Sequence, residues 1–301
     1  MFTRIENTHL FIIVIMLCFL SACGQRPKGT PEKIAVNAVK ASRQTLKDFL
    51  VYLGDIKAED EAEIFPKVSG KILERLAQEG DRVEKGDVLA YIDRDEVGFE
   101  FEKSPVESPL DGLVGRVYVD VGATVSPQTP IGLVVKMSAV KVRIDAAERD
   151  LPKIRRGQPA QVKVDAYPGR IFKGRVESVS PVVDRTSRTA LVEIKIPNKD
   201  LSIKPGMFAR IKILVNEKQD VLTVPRDAIV MQDSARYIFV VGDGDVVHRR
   251  KIEIGLHENN RFEIMSGITE GELVVMMGNT LLKEGDIVEV VSDIDIQEQQ
   301  E

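Results

Sequence analysis

Residues 69–72 read Ser69-Gly70-Lys71-Ile72 and residues 80–83 read Gly80-Asp81-Arg82-Val83. Further on, residues 111–114 read Asp111-Gly112-Leu113-Val114 and residues 122–125 read Gly122-Ala123-Thr124-Val125. The second pair of segments repeats the first at an offset of about 42 positions: Gly70 matches Gly112, Ile72 matches Val114, Gly80 matches Gly122, Val83 matches Val125 and Leu89 matches Ile131. Each unit reads as strand, glycine turn, strand. Gly80 and Gly122 supply turn geometry that a Cβ would hinder, and the flanking apolar residues face a shared core. A unit of about 30 residues buries too little surface to stand alone, so the two must pair into one domain.

Strand-like alternation continues on both sides of the repeat. Gln161 to Asp165, Val192 to Ile196, Ala209 to Ile213, Tyr237 to Val241 and Ile287 to Val291 alternate apolar with polar residues, separated by Gly, Pro, Asp and Asn turns. This predicts an all-β, mostly antiparallel chain, with Asp243-Gly244 as a hairpin turn. Helix is expected only at 145–156, ended by Gly157, and weakly at 41–50. No three consecutive heptads support a coiled coil. With 301 residues, 43% hydrophobic, the chain can form two or three domains with packed cores. The net charge of −5 is spread through the chain, so no basic stripe points to nucleic acid.

The two cysteines, Cys18 and Cys23, both lie near the N-terminus, which excludes a disulfide framework in the body. Leu10 to Leu20 is an apolar run preceded by Arg4, too short for a spanning helix, which needs about 20 residues, and of signal-peptide length. It ends in Leu20-Ser21-Ala22-Cys23-Gly24, which resembles the lipobox of bacterial lipoproteins. That resemblance implies that residues 1–22 are a signal peptide, that Cys23 becomes the acylated first residue, and that 23–33 are a tether to a lipid bilayer. Two or more acyl chains, each contributing about 0.8 kcal/mol per buried CH₂, anchor stably where one would not.

The repeat resembles the lipoyl or biotinyl fold, a flattened sandwich with quasi-two-fold symmetry, over residues 62–137. Cofactor carriers of that fold present a lysine at the turn between the halves. Here that position falls on Glu96 when counted forward from Leu89-Ala90-Tyr91-Ile92-Asp93. The nearest lysine counted back from Ser108-Pro109-Leu110-Asp111-Gly112 is Lys103, which is out of register. A carrier role is therefore not expected.

Beyond the repeat, the chain resembles the periplasmic adaptors, or membrane fusion proteins, of resistance-nodulation-division efflux pumps. Asp145 to Val164, Ala166-Tyr167-Pro168-Gly169, Gly174-Arg175-Val176, Ser180 to Thr189 and Leu201 to Ile213 with Pro205-Gly206-Met207 occur in the order of that family's β-barrel. Val224-Pro225, Ala228 to Val230, Tyr237 to Val241 and Gly267 to Val275 look like its membrane-proximal domain. The resemblance implies an elongated chain with three β-modules: the sandwich at 62–137, a barrel at 138–217 with strands from 34–61 shared between the barrel and the membrane-proximal domain, that domain at 218–291, and an acidic tail at 292–301. It implies as partners an inner-membrane transporter of that class, an outer-membrane channel, and further copies of the chain in a ring. Export of drugs or other small molecules is the implied task. Copper or silver export, or substrate delivery by a lipid-tethered binding protein, are the alternatives.

Adaptors of this family normally carry a long helical hairpin between the sandwich halves. Only Arg94 to Lys103 lies there, and at about 1.5 Å per residue even a single helix would span about 15 Å. The chain is thus expected to lack the hairpin. The linker 94–103, with Glu96 and Lys103, and the turns at Gly80 and Gly122 are expected to form the channel-facing end together.

Catalytic and metal signals are missing. His248 and His257 stand apart without cysteine or a carboxylate array, and no nucleophile or phosphate-loop pattern occurs. Met137, Met207, Met231, Met265, Met276 and Met277 are scattered and read as core fillers rather than a soft-metal site. Neither enzymatic activity, a cofactor nor a resident metal is expected.

Overall fold

The structure, a computed structural model, describes residues 33–93 and 102–293. Its first strand, β1 (Ile34–Lys40), leads into β2 (Ser42–Ile64) of 23 residues. The chain forms two compact units, one from the residues up to Gln44 together with those from Asp220 onward, the other from Thr45 to Gln219.

In the second unit, β2 is followed by β3 (Gly70–Arg75), β4 (Arg82–Val83), β5 (Val88–Asp93), β6 (Ser104–Glu107), β7 (Gly112–Val117), β8 (Thr124–Val125) and β9 (Gly132–Ala147). These make two four-stranded layers, β6-β5-β3-β8 and β2-β9-β7-β4. Each layer mixes strands of both repeats: β3 pairs with β8 through Gly70↔Val125, and β4 with β7 through Val83↔Gly112. The symmetry extends to single hydrogen bonds. Gly80 N donates to Val114 O at 2.8 Å, and its repeat mate Gly122 N donates to Ile72 O at 2.7 Å. Ile64, Ile72, Val83, Leu89 and Ile92 of the first repeat bury against Val106, Val114, Val125, Ile131 and Val134 of the second. At about 25 cal/mol per Å² of apolar area, neither half could sustain itself without the other.

The barrel continues the same chain through β10 (Pro159–Val164), β11 (Ile171–Val179), β12 (Thr189–Pro197) and β13 (Phe208–Pro225). Neighbours run β13-β10-β11-β12-β9, and β2 pairs with both β9 and β13, which closes the ring and removes free edges. The inward residues Ile56, Val142, Ile144, Val162, Val192, Ile194, Ile211 and Ile213 alternate with polar outward ones and are essentially fully buried. β2 serves both modules. Asp55 to Ala58 pair with Arg143 to Val140 of β9 in the barrel, and Asp60 to Ile64 with Lys136 to Gly132 in the sandwich.

Two helical expectations are corrected. Residues 42–50 are strand, because β2 gains ladder partners that a surface helix would forgo. At 145–156, β9 runs to Ala147 and only a six-residue 3₁₀ helix, Glu148–Lys153, follows. Pro152, inside that segment, lacks the N–H that an α-helical turn would use.

The first unit pairs β1 antiparallel with Leu273–Met277 and parallel with Val288–Asp293. Ala235–Val241 and Val247–Lys251 form the hairpin expected around Asp243-Gly244, with Gly244 at φ 73°. The end of β13 pairs with Arg261–Ser266, which in turn pairs with Glu253–Glu258. Val36, Phe239, Val247, Val275 and Val288 form one core of this unit, and Val224, Ile238, Val240, Ile264 and Val274 another.

Candidate interaction surfaces

The sandwich has one end at the barrel and one away from it. At the far end β5 finishes at Asp93 and β6 begins at Ser104, which pairs with Ile92. Lys103 sits beside this register: its Nζ lies 4.1 Å from the centre of the Tyr91 ring and 3.7 Å from the Glu74 carboxylate. A cation over an aromatic face contributes about 0.5–1 kcal/mol at an exposed site, enough to hold the linker's return point. Gly122, at φ 89°, donates its N–H to Ile72 O on the adjoining strand, and Ile72 pairs with Ile92 of β5.

Gly80 donates its N–H to Val114 O in the other layer, where β7 pairs with β9. Glu96 lies outside the described residues, as does Cys23.

The two turns differ in surface chemistry. Val121 and Leu73, which flank the Gly122–Ile72 contact, are 60% and 50% exposed. Their repeat mates are Glu79 and Gly115. Glu79 accepts a hydrogen bond from Val117 N at 3.0 Å instead of offering apolar surface. Around Val121 the rim is charged, with Arg75 3.7 Å from Asp120 and Lys103 near Glu74. The internal symmetry is broken where apolar surface appears around the Gly122 turn. The signal was present in the repeat alignment, as Val121 against Glu79 and Leu73 against Gly115.

The barrel exterior carries an ion-pair network. Lys195 Nζ lies 2.6 Å from Glu59 and 3.7 Å from Glu177, and Lys141 lies 3.7 Å from Glu177. The Lys195 hydrogen bond holds the Glu59 carboxyl below its ordinary range, and the same bond raises Lys195. Asp200, 2.8 Å from Arg170 Nη2, is pulled down to about 2 by that hydrogen bond and one from Ser202. Burial, helped by a 2.7 Å hydrogen bond to Asp150, pushes the Tyr52 hydroxyl to about 12.

The loop 180–189 is ordered rather than loose. Asp184 Oδ1 accepts from Thr186 N and Ser187 N, both at 2.8 Å, which lowers its pKa, and Arg188 adopts φ 56°.

Among the described residues no group of three or more His, Cys, Asp or Glu side chains could hold a metal. His248 meets Glu284 at 3.1 Å, and His257 stacks on Phe262 with ring centres 5.2 Å apart. The expectation that the methionines fill cores holds only in part. Met137 and Met207 pack against the barrel core, whereas Met231, Met265 and Met277 are exposed on outward faces of their strands. No helix of the described residues is long and apolar enough to cross a membrane.

Three family models match in sequence along the chain. A barrel-sandwich hybrid domain of resistance-nodulation-division membrane fusion proteins matches 60–137, a CusB-like β-barrel domain 139–217, and a YknX C-terminal permuted SH3-like domain 221–290. Each coincides with one β-module of the fold. The chain belongs to the membrane fusion proteins, the periplasmic adaptors of resistance-nodulation-division pumps. This adaptor is 29% identical over 197 residues to the multidrug resistance protein MdtA of Pantoea ananatis, an alignment covering 63% of the chain and 48% of that relative. It is 23% identical to MdtA of Salmonella paratyphi C, over 90% of the chain and 84% of the relative. In fold the adaptor resembles the crystal structure of MacA from Actinobacillus actinomycetemcomitans, with a TM-score of 0.62, 20% identity, and coverage of 79% of this chain and 98% of that one.

Proposed function

We propose that this adaptor joins an inner-membrane resistance-nodulation-division transporter to an outer-membrane channel in the export of drugs or other small molecules. In this reading it works as a ring of copies in the periplasm, tethered to a bilayer through acylated Cys23. It performs no chemistry of its own. Its contribution is mechanical and topological, a sealed path between pump and channel. The name multidrug resistance protein, carried by its relatives, favours organic substrates over copper or silver.

The observation that carries the channel-facing assignment is the asymmetry of the sandwich. Val121 and Leu73 stand exposed around the Gly122 turn, where their repeat mates around Gly80 are Glu79 and Gly115. Contact there would bury an apolar centre inside a charged rim, the usual anatomy of a specific interface. Lys103, Glu96, the linker 94–103 and the turns at Gly80 and Gly122 form the channel-facing end in our reading.

Affinity purification of the tagged full chain from solubilised membranes tests the pump partner. A resistance-nodulation-division transporter is expected as the principal co-purifying membrane protein. Recovery of a different transporter class in its place would contradict the proposal.

A further inference from the structure

The barrel bears an open groove of about 770 Å³ lined by residues of β2, β9, β10, β11, β12 and β13. Five cations line it: Lys47, Lys173, Arg175, Lys195 and Lys199. No carboxylate lines it, although the chain as a whole carries a net charge of −5. Ser138 and Gln161 add two neutral polar groups, and the rest of the wall is apolar, with Phe49, Pro197 and Leu214 prominent. Lys195 is engaged by Glu59 and Glu177, and Lys47 stands 4.0 Å from Glu217. Arg175 gives one bond to the carbonyl of Gly157. Lys173 and Lys199 hold no ion pair among the described residues.

Lined pockets of mixed character bind ligands that match both parts, an apolar body in the walls and a charge at the polar points. A bare inorganic anion would leave the apolar walls wet. An extended acidic peptide would meet Pro159 and Pro197, which have no N–H to offer its carbonyls. We propose that this groove binds a single-chain anionic amphiphile, its alkyl chain along Phe49, Leu214 and the prolines and its carboxylate or sulfate held by Lys173 and Lys199. The site lies on the barrel and is independent of the channel-facing end, so it stands or falls apart from the adaptor assignment.

The test uses the purified full chain held in an amphipathic polymer, with laurate below its micellar concentration as the probe. Butyrate, dodecyl maltoside and a Glu-rich decapeptide serve as comparators. Saturable binding of one laurate per chain is expected. Butyrate and dodecyl maltoside should each bind at least tenfold more weakly, and added salt should weaken laurate because the exposed cations are screened. Lys173→Glu with Lys199→Glu should weaken laurate at least tenfold. If circular dichroism shows that this variant has lost its strands, the milder Lys173→Gln with Lys199→Gln replaces it, with an expected loss of at least threefold. Absence of saturable laurate binding, equal binding by a folded variant, or tighter capture of the peptide than of laurate would each overturn the proposal.

Discussion

Replacing Gly70 by valine is expected to dismantle the sandwich. A Cβ at this position would run into the carbonyl oxygen of Asp93 and lie 2.7 Å from Ile92 Cγ2. The obstacle is backbone, and β3 is pinned on both sides, to β5 through Lys71↔Asp93 and to β8 through Gly70↔Val125. Relief therefore requires a strand to leave its ladder. We expect a loss of roughly 3 kcal/mol, the upper end of overpacking costs, read as a fall in the urea midpoint and as fast hydrogen exchange at Ile72 and Ile92. Gly80→Ala provides the contrast. Nothing lies within 4 Å of its Cβ, but its φ is +97°, so it should cost only about 1 kcal/mol of backbone strain. A Gly70→Val variant as stable as the parent would mean that the interlocked register is wrong.

Asn198→Ala should be comparably damaging for a different reason. Asn198 is 1% exposed. Its Nδ2 donates to Met137 O at 2.9 Å and to Ile203 O at 2.8 Å, and its Oδ1 accepts from Ile203 N at 3.0 Å. One side chain thus ties the exit of the sandwich to the loop that leads into β13. Alanine would leave those backbone groups buried and unpaired, at about 1–3 kcal/mol for each group that finds no substitute. We expect about 3 kcal/mol in total from urea unfolding with an unchanged m-value. Asn198→Asp should fare no better near neutral pH, because a carboxylate cannot donate to either carbonyl. A loss below about 0.5 kcal/mol in both variants would show that the clamp contributes little.

How far the sequence reveals this fold depends on how local each signal is. The sandwich was legible because its core residues recur at one offset, so that Ile72 with Val114 and Leu89 with Ile131 could be matched without knowing any contact. The same repeat could not say where its two turns point. Gly80 and Gly122 look alike in one dimension, and only the fold shows the first bonded to Val114 and the second to Ile72. The importance of Gly70 and Gly112 arises from strands that approach across the sandwich, which no local pattern records. Strand at 34–61 was implied by the family resemblance alone, not by the residues of β2. Its acidic stretch Glu59-Asp60-Glu61-Ala62-Glu63 lacks strand propensity and is strand because β9 pairs alongside it. Asn198, within Pro197-Asn198-Lys199-Asp200, reads as an ordinary turn residue, and its clamp depends on Met137, far away in sequence.

Site-specific photo-crosslinking in the assembled membrane complex is the most direct test of the account. A photoreactive residue at Lys103 should give crosslinks to the outer-membrane channel, and one at Lys163, on an outward position of the barrel strand β10, should give none. Channel crosslinks from the barrel alone, with Lys103 silent, would contradict it.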